Sequence, residues 1–116
     1  MLKLADQWKS ESVFARLLVG DAASRKKDYA GAIQAYTEAL KHDPKNDYAY
    51  FRIGYNQWQL QELDKAMEAF AKAVVLNKQN TAKAREYLEQ IYKPRHNNTL
   101  DGLDQLLAKA KAEVNP

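Results

Sequence analysis

The chain has 116 residues, 46% hydrophobic and 28% charged, which suits one globular domain of ordinary soluble composition and is too short for several. The net charge is +3, with nine basic and seven acidic groups in residues 1–58 and nine and eight in residues 59–116. The signs are thus interspersed, which argues against the one-sided basic face of a nucleic-acid binder. There is no cysteine, which excludes disulfides, thiolate catalysis and sulfur-ligated zinc; and with four Gly, three Pro and no alternating β-branched run, the helix formers leave no case for a sheet.

In chain order, residues 1–12 hold Leu2, Leu4 and Trp8 and read as an N-terminal arm or short helix. They lack an apolar core of signal-peptide length, and no stretch approaches a membrane span, so no membrane partner and a cytoplasmic location are the default expectations. Residues 13–27 and 30–42 read as one helical pair, and 47–60 and 64–76 as the next. Asp28 and Asp64 stand where second helices take N-caps, Asn46 or Asp47 suits the start of the third helix, and Pro44 stops the second. Residues 81–93 read as a first helix capped by Thr81, with Tyr87, Leu88, Ile91 and Tyr92 apolar. Pro94 opens a loop over 94–98. A last helix from Asn98 or Thr99 carries Leu100, Leu103, Leu106, Leu107, Ala110 and Val114 on one stripe, with Asp101 in its first turn.

The two pairs are copies at a spacing of 34. Gly20 recurs as Gly54, Val19 as Ile53, Ala32 as Ala66, Ala35 as Ala69, Tyr36 as Phe70 and Ala39 as Ala73, each pair keeping its size class. Small residues at Gly20 and Gly54, and at Ala32, Ala39, Ala66 and Ala73, let paired helices approach closely; Tyr36 and Phe70 fill the space between pairs. This pattern resembles the tetratricopeptide-repeat family, a 34-residue helix–turn–helix with Gly, Ala, an aromatic, Ala and Pro at set intervals. Gly20, Ala32, Tyr36, Ala39 and Pro44 carry the resemblance in residues 13–46. Gly54, Ala66, Phe70 and Ala73 carry it in residues 47–80, with Lys78 replacing the family's proline. Arg16, Ala23 and Gln57 stand where the family usually has an aromatic. The resemblance implies an all-α solenoid, a right-handed superhelix of two clear repeats, with residues 81–115 as a degenerate third pair or capping helices.

No residue set calls for catalysis or a cofactor. His42 and His96 have no second ligand at metal spacing. Ser10, Ser12 and Ser24 belong to no nucleophile motif, and Gly20 and Gly54 are isolated within helices rather than in a phosphate-binding loop. The expected role is therefore a protein–protein interaction module or adaptor, without catalytic residues, cofactor or metal.

Stacked pairs line a concave groove with their first helices. Helical spacing places Tyr48, Phe51, Tyr55 and Trp58 on it as an aromatic stripe, on the expectation that the repeat does not need them for its own packing. Asp21, Arg25 and Arg85 are expected to set polar specificity for a peptide or helix of a partner. Three occupants are open: a partner protein, one of the spare segments Leu2–Trp8 or Leu100–Val114, and a second copy, with a monomer the leading expectation. In this family many co-chaperones clamp an acidic chaperone tail with Lys, Asn and Arg. Here Leu17, Asp21, Arg52, Ala82 and Glu86 occupy those positions, and Asp21 and Glu86 repel a carboxylate, so no such clamp is expected.

Overall fold

The computed structural model describes residues 4–76 and 78–115, with side chains described from Ser12 onward. Among the described residues six α-helices follow one another: α1 (Leu4–Arg25), α2 (Tyr29–His42), α3 (Asp47–Gln59), α4 (Leu63–Val75), α5 (Thr81–Tyr92) and α6 (Leu103–Val114). A 3-10 turn over Lys93–Arg95 follows α5. Among the described residues there is no strand. Each helix from α1 to α5 packs on its chain neighbours, and α6 packs on α4.

The glycine–aromatic contacts explain the pairing. A Cβ at Gly20 would lie 2.6 Å from the Tyr36 ring, and one at Gly54 would lie 2.8 Å from Phe70. Tyr36 and Phe70 are fully buried, so each ring lies flush on the bare backbone of the preceding helix. Ala32, Ala39, Ala66 and Ala73 are also fully buried, as small residues at a close helix–helix contact must be.

The turn between the paired helices is identical in both repeats. Asp28 N–H donates to Ala23 and Lys27 N–H to Ser24; 34 residues on, Glu62 donates to Gln57 and Gln61 to Trp58. This is the two-bond C-terminal cap in which one residue turns left-handed. That residue is Lys27 (φ 65°) in one repeat and Gln61 (φ 63°) in the other. Asp28 then caps α2 by accepting from Gly31 N–H at 3.0 Å, and Asn46 caps α3 by accepting from Ala49 N–H at 2.9 Å.

Several boundaries differ from the sequence reading. Residues 4–12 form no separate short helix: α1 is continuous from Leu4, because residues 4–12 contain helix formers and no breaker, and lengthening an existing helix is far easier than starting one. The side chains of Leu2, Leu4 and Trp8 lie outside the described residues. Asp64 does not cap α4, which begins at Leu63 after Glu62; its carboxylate instead accepts from Arg95 at 3.0 Å. Thr81 does not cap α5: Asn80 occupies that position, held to the Asp47 carboxylate at 3.0 Å. The last helix begins at Leu103, not at 98 or 99. Asn97, Asn98 and Gly102 all take positive φ (56°, 61° and 88°), which breaks the helix, so Leu100 falls outside the apolar stripe and is 38% exposed.

The third copy departs from the repeat for a visible reason. Position 34 after Gly54 is Leu88, fully buried, where a paired second helix would need bare backbone. The positions 34 after Ala66 and Phe70 are Leu100 and Asp104. With neither the gap nor the aromatic to fill it, α6 does not repeat the earlier pairing. It packs on α4 instead, burying Leu103, Ala110 and Val114 and joining Lys72 to Glu113 at 3.8 Å.

Candidate functional site

The first helices α1, α3 and α5 carry the residues named for the groove. Tyr48 is half-buried on α3. Its hydroxyl donates to both Asp21 carboxylate oxygens, at 2.9 and 3.0 Å, and its ring meets Tyr36 edge-on at 6.4 Å. Tyr36 donates to the same carboxylate. Arg52 donates through Nε to the Tyr36 oxygen at 3.3 Å and through a terminal nitrogen to Ser24 Oγ at 3.2 Å, and sits 3.8 Å from Asp21. Its guanidinium also lies 4.9 Å from the centre of the Tyr55 ring. One network thus ties α1, α2 and α3 together.

Its electrostatics follow from burial. Desolvation pushes the Tyr36 phenol far above its ordinary range and raises Tyr48 as well, and the Asp21 charge adds to both. Burial works against the Arg52 charge, but Tyr36, Tyr48 and Asp21 together outweigh it and hold its pKa up. Asp21 is therefore committed inside the fold, where it accepts from two phenols beside a guanidinium, rather than free to select a ligand.

The aromatic stripe divides in two. Phe51 is only 9% exposed, stacked on Tyr87 with centroids 5.6 Å apart and tilted against Phe70 at 6.0 Å. Trp58 meets Phe70 at 6.2 Å and Tyr87 at 5.5 Å, both edge-on. The expectation that the repeat does not need the stripe for packing is thus overturned. Tyr87 brings α5 against Phe51, Phe70 and Trp58, and sequence spacing gave no hint that one ring would meet all three. Tyr55 and Trp58 remain partly exposed, and Arg25 is exposed. Arg85 is exposed but paired with Glu89 at 3.1 Å.

Sequence reasoning missed Tyr36 and Arg52 as polar partners. A signal was present: Asp21 and Arg52 break the 34-residue pattern, their counterparts being Tyr55 and Leu18, and two opposite charges at pattern-breaking positions in adjacent repeats are a candidate pair. Arg52 also bears on the chaperone-tail clamp. The one residue suited to it is spent on Tyr36 and Ser24. His96 stacks on Tyr92 with centroids 3.7 Å apart, and its Nδ1 lies 2.9 Å from the Tyr92 carbonyl oxygen. Among the described residues no group of three His, Asp or Glu side chains is placed to hold a metal ion, and no helix is long and apolar enough to cross a membrane.

Bare-backbone glycines under buried aromatics, repeated after 34 residues, define a tetratricopeptide helical repeat, and the tetratricopeptide-repeat family model matches residues 17–81, more than half of the chain. The chain belongs to that family. It is similar to the TPR repeat-containing protein MJ1428 of Methanocaldococcus jannaschii, 37% identical over 70 residues, which is 57% of this chain and 12% of that protein. The chain therefore matches only a small part of that relative's length. Repeats of this family generally serve as protein–protein interaction modules and are generally non-enzymatic.

Proposed function

We propose that the protein is an adaptor that holds a peptide or helix of a partner protein in the groove of α1, α3 and α5, with Tyr55 and Trp58 as the apolar contact and Arg25 and Arg85 at its polar rim. The observation that carries this reading is the position of α6. It was one of the two segments of this chain in contention for the groove, and it packs on α4 instead, leaving Tyr55 and Trp58 partly exposed. Tyr and Trp bury large area while keeping a polar edge, which suits them to a partner's apolar anchors. Phe51 acts from beneath, by fixing Trp58 through Tyr87 and Phe70. The partner is a protein; nucleic acid, a membrane, a cofactor and catalysis form no part of the reading.

The test is selection from a displayed peptide library on the wild-type protein, followed by affinity measurement on Tyr55→Ala and Arg25→Glu. Arg25 is exposed, whereas Tyr55 is partly buried against the core, so the thermal unfolding of each variant is compared with wild type first. Selected peptides are expected to carry aromatic or aliphatic anchors and to lose about tenfold or more in affinity to Tyr55→Ala. Binders indifferent to both variants would refute the groove. A structural module, with the stack only spacing its neighbours, is the second reading. It is favoured by how much of the stripe (Phe51 and most of Trp58) the core already uses.

A further inference from the structure

Among the described residues five large apolar side chains are exposed, and three of them, Phe14 (63%), Leu18 (49%) and Val19 (60%), lie on one stretch of α1. The repeat gives them a meaning. Their counterparts 34 residues on are Tyr48, Arg52 and Ile53, which α3 uses to grip the preceding repeat. Tyr48 and Arg52 hold Tyr36, Asp21 and Ser24, while Ile53 is buried in one apolar cluster with Ala32, Tyr36 and Ala69, against which Ile33 and Leu40 also pack. On α2 the residue equivalent to Ala69 is Ala35, which lines an open groove with Arg16, Val19, Gly31, Gln34 and Glu38. The face of repeat 1 is thus the same surface that repeat 2 fills with α2, and no described helix covers it.

We propose that this end face docks an amphipathic helix of a partner protein, apolar at i, i+3 and i+7 as α2 is at Ile33, Tyr36 and Leu40, lying where α2 lies against repeat 2. Two further observations define the occupant. Arg16 Nε is buried and, among the described residues, has no hydrogen-bond partner. Its counterpart Tyr50 donates to the carbonyl of Pro44, just past the C-terminal end of α2, at 3.3 Å. By this alignment the incoming helix ends at Arg16, which lines the groove and whose positive charge suits the negative end of the helix dipole. The second observation is size. Three side chains half to two-thirds exposed amount to a few hundred Å2, within the range of functional patches on monomers but well short of the roughly 800 Å2 per partner of a standard protein–protein complex. The patch fits one helix rather than a second copy of the chain. This surface shares no residue with the α3 groove.

The experiment uses the full chain labelled with 15N and, as probe, a stapled peptide of residues 28–46 (staple across Ala30 and Gln34, both exposed on α2). Titration is expected to shift the amides of Phe14, Leu18, Val19 and Ala35. Val19→Lys and Leu18→Lys, at surface positions that leave the core intact, are expected to weaken binding about tenfold or more, the effect of withdrawing one buried aliphatic side chain, while Tyr55→Ala changes nothing. A spin label on the peptide C-terminus is expected to broaden Arg16 ahead of Gly31. No shifts up to about 1 mM peptide, shifts confined to α3 and α5, or indifference to Val19→Lys would each overturn the proposal. Light scattering on the free protein is expected to give a monomer; a dimer dissolved by Val19→Lys would assign the face to a second copy and overturn it equally.

Discussion

Replacing Gly54 by alanine sets two effects of opposite sign against each other, and the structure decides between them. In a helix interior, alanine is favoured over glycine by about 1 kcal/mol, so on propensity alone the variant is stabilised. The new Cβ, however, would lie 2.8 Å from Phe70 Cδ1 and 2.9 Å from Cε1. The ring has nowhere to go: it is fully buried and bounded by Phe51, Tyr87 and Trp58 at centroid distances of 6.0, 5.7 and 6.2 Å. Overpacking a close-packed core costs about 1–3 kcal/mol, and a rigid ring held on three sides belongs in the upper part of that range. The net expectation is a loss of about 1–2 kcal/mol, or a melting temperature lower by about 5–10 °C for a domain of this size. Thermal and urea unfolding followed by circular dichroism measure it. In a Phe70→Leu background the collision is relieved, so Gly54→Ala is expected to become neutral or stabilising, a coupling that a double-mutant cycle reads directly. A melting temperature raised by Gly54→Ala alone, or the same cost in both backgrounds, would refute the close-packing account.

Asp21→Ala removes the acceptor shared by Tyr36 and Tyr48 and leaves Arg52 without its carboxylate, so a loss of about 1–3 kcal/mol is expected in urea unfolding; a change within about 0.5 kcal/mol, the range of an ordinary surface substitution, would mean that the network is slack. Tyr36 and Tyr48 have raised folded-state pKa values against an unfolded value of 10.0. The folded state therefore holds their protons longer, and their contribution is complete below pH 10 and lost as pH rises through and beyond it. Melting temperatures recorded across pH 9–11 are expected to fall less steeply in Tyr36→Phe/Tyr48→Phe than in wild type, and equal slopes would count against phenol burial as the cause. Lys27→Gly and Gln61→Gly relieve a left-handed residue at each paired-helix turn, and each is expected to stabilise by up to about 1 kcal/mol. If either variant melts lower, the turn geometry described above is wrong.

The fold was legible because packing rules act on residue size, and size is written in the sequence: Gly20 with Tyr36 and Gly54 with Phe70 are the repeat's own contact pairs. Asp28 and Asn46 were likewise readable as caps. The third copy was legible as degenerate, but not in its outcome, since whether α6 pairs with α5 or packs on α4 depends on Leu88 filling the gap from the opposite side. The misplaced start of the last helix has a backbone cause. Left-handed residues at Asn97, Asn98 and Gly102 are backbone choices to which a side-chain stripe is blind, so the stripe through Leu100 was extended too far. The candidate site was half readable. Spacing put Tyr48, Phe51, Tyr55 and Trp58 on one helix face, but periodicity along α3 cannot register that Tyr87 on α5 would come in against Phe51 and Trp58, or that Asp21 would be claimed by two phenols.

The network of Asp21, Tyr36, Tyr48 and Arg52 also governs how the molecule opens. In a stack held by nearest-neighbour contacts, a unit with a neighbour on each side outlasts one with a single neighbour. Repeat 2 is flanked by α2 and by α5 with α6, whereas repeat 1 is held through this network and the apolar cluster around Ile53. Opening of α1 and α2 would break this network and carry Arg25 away from α3 and α5. A ligand that steadies α1 from either side reduces the ordering left for a ligand on the other. The proposed end face and the proposed groove, with no residue in common, would in this way be linked through the stability of one helix pair.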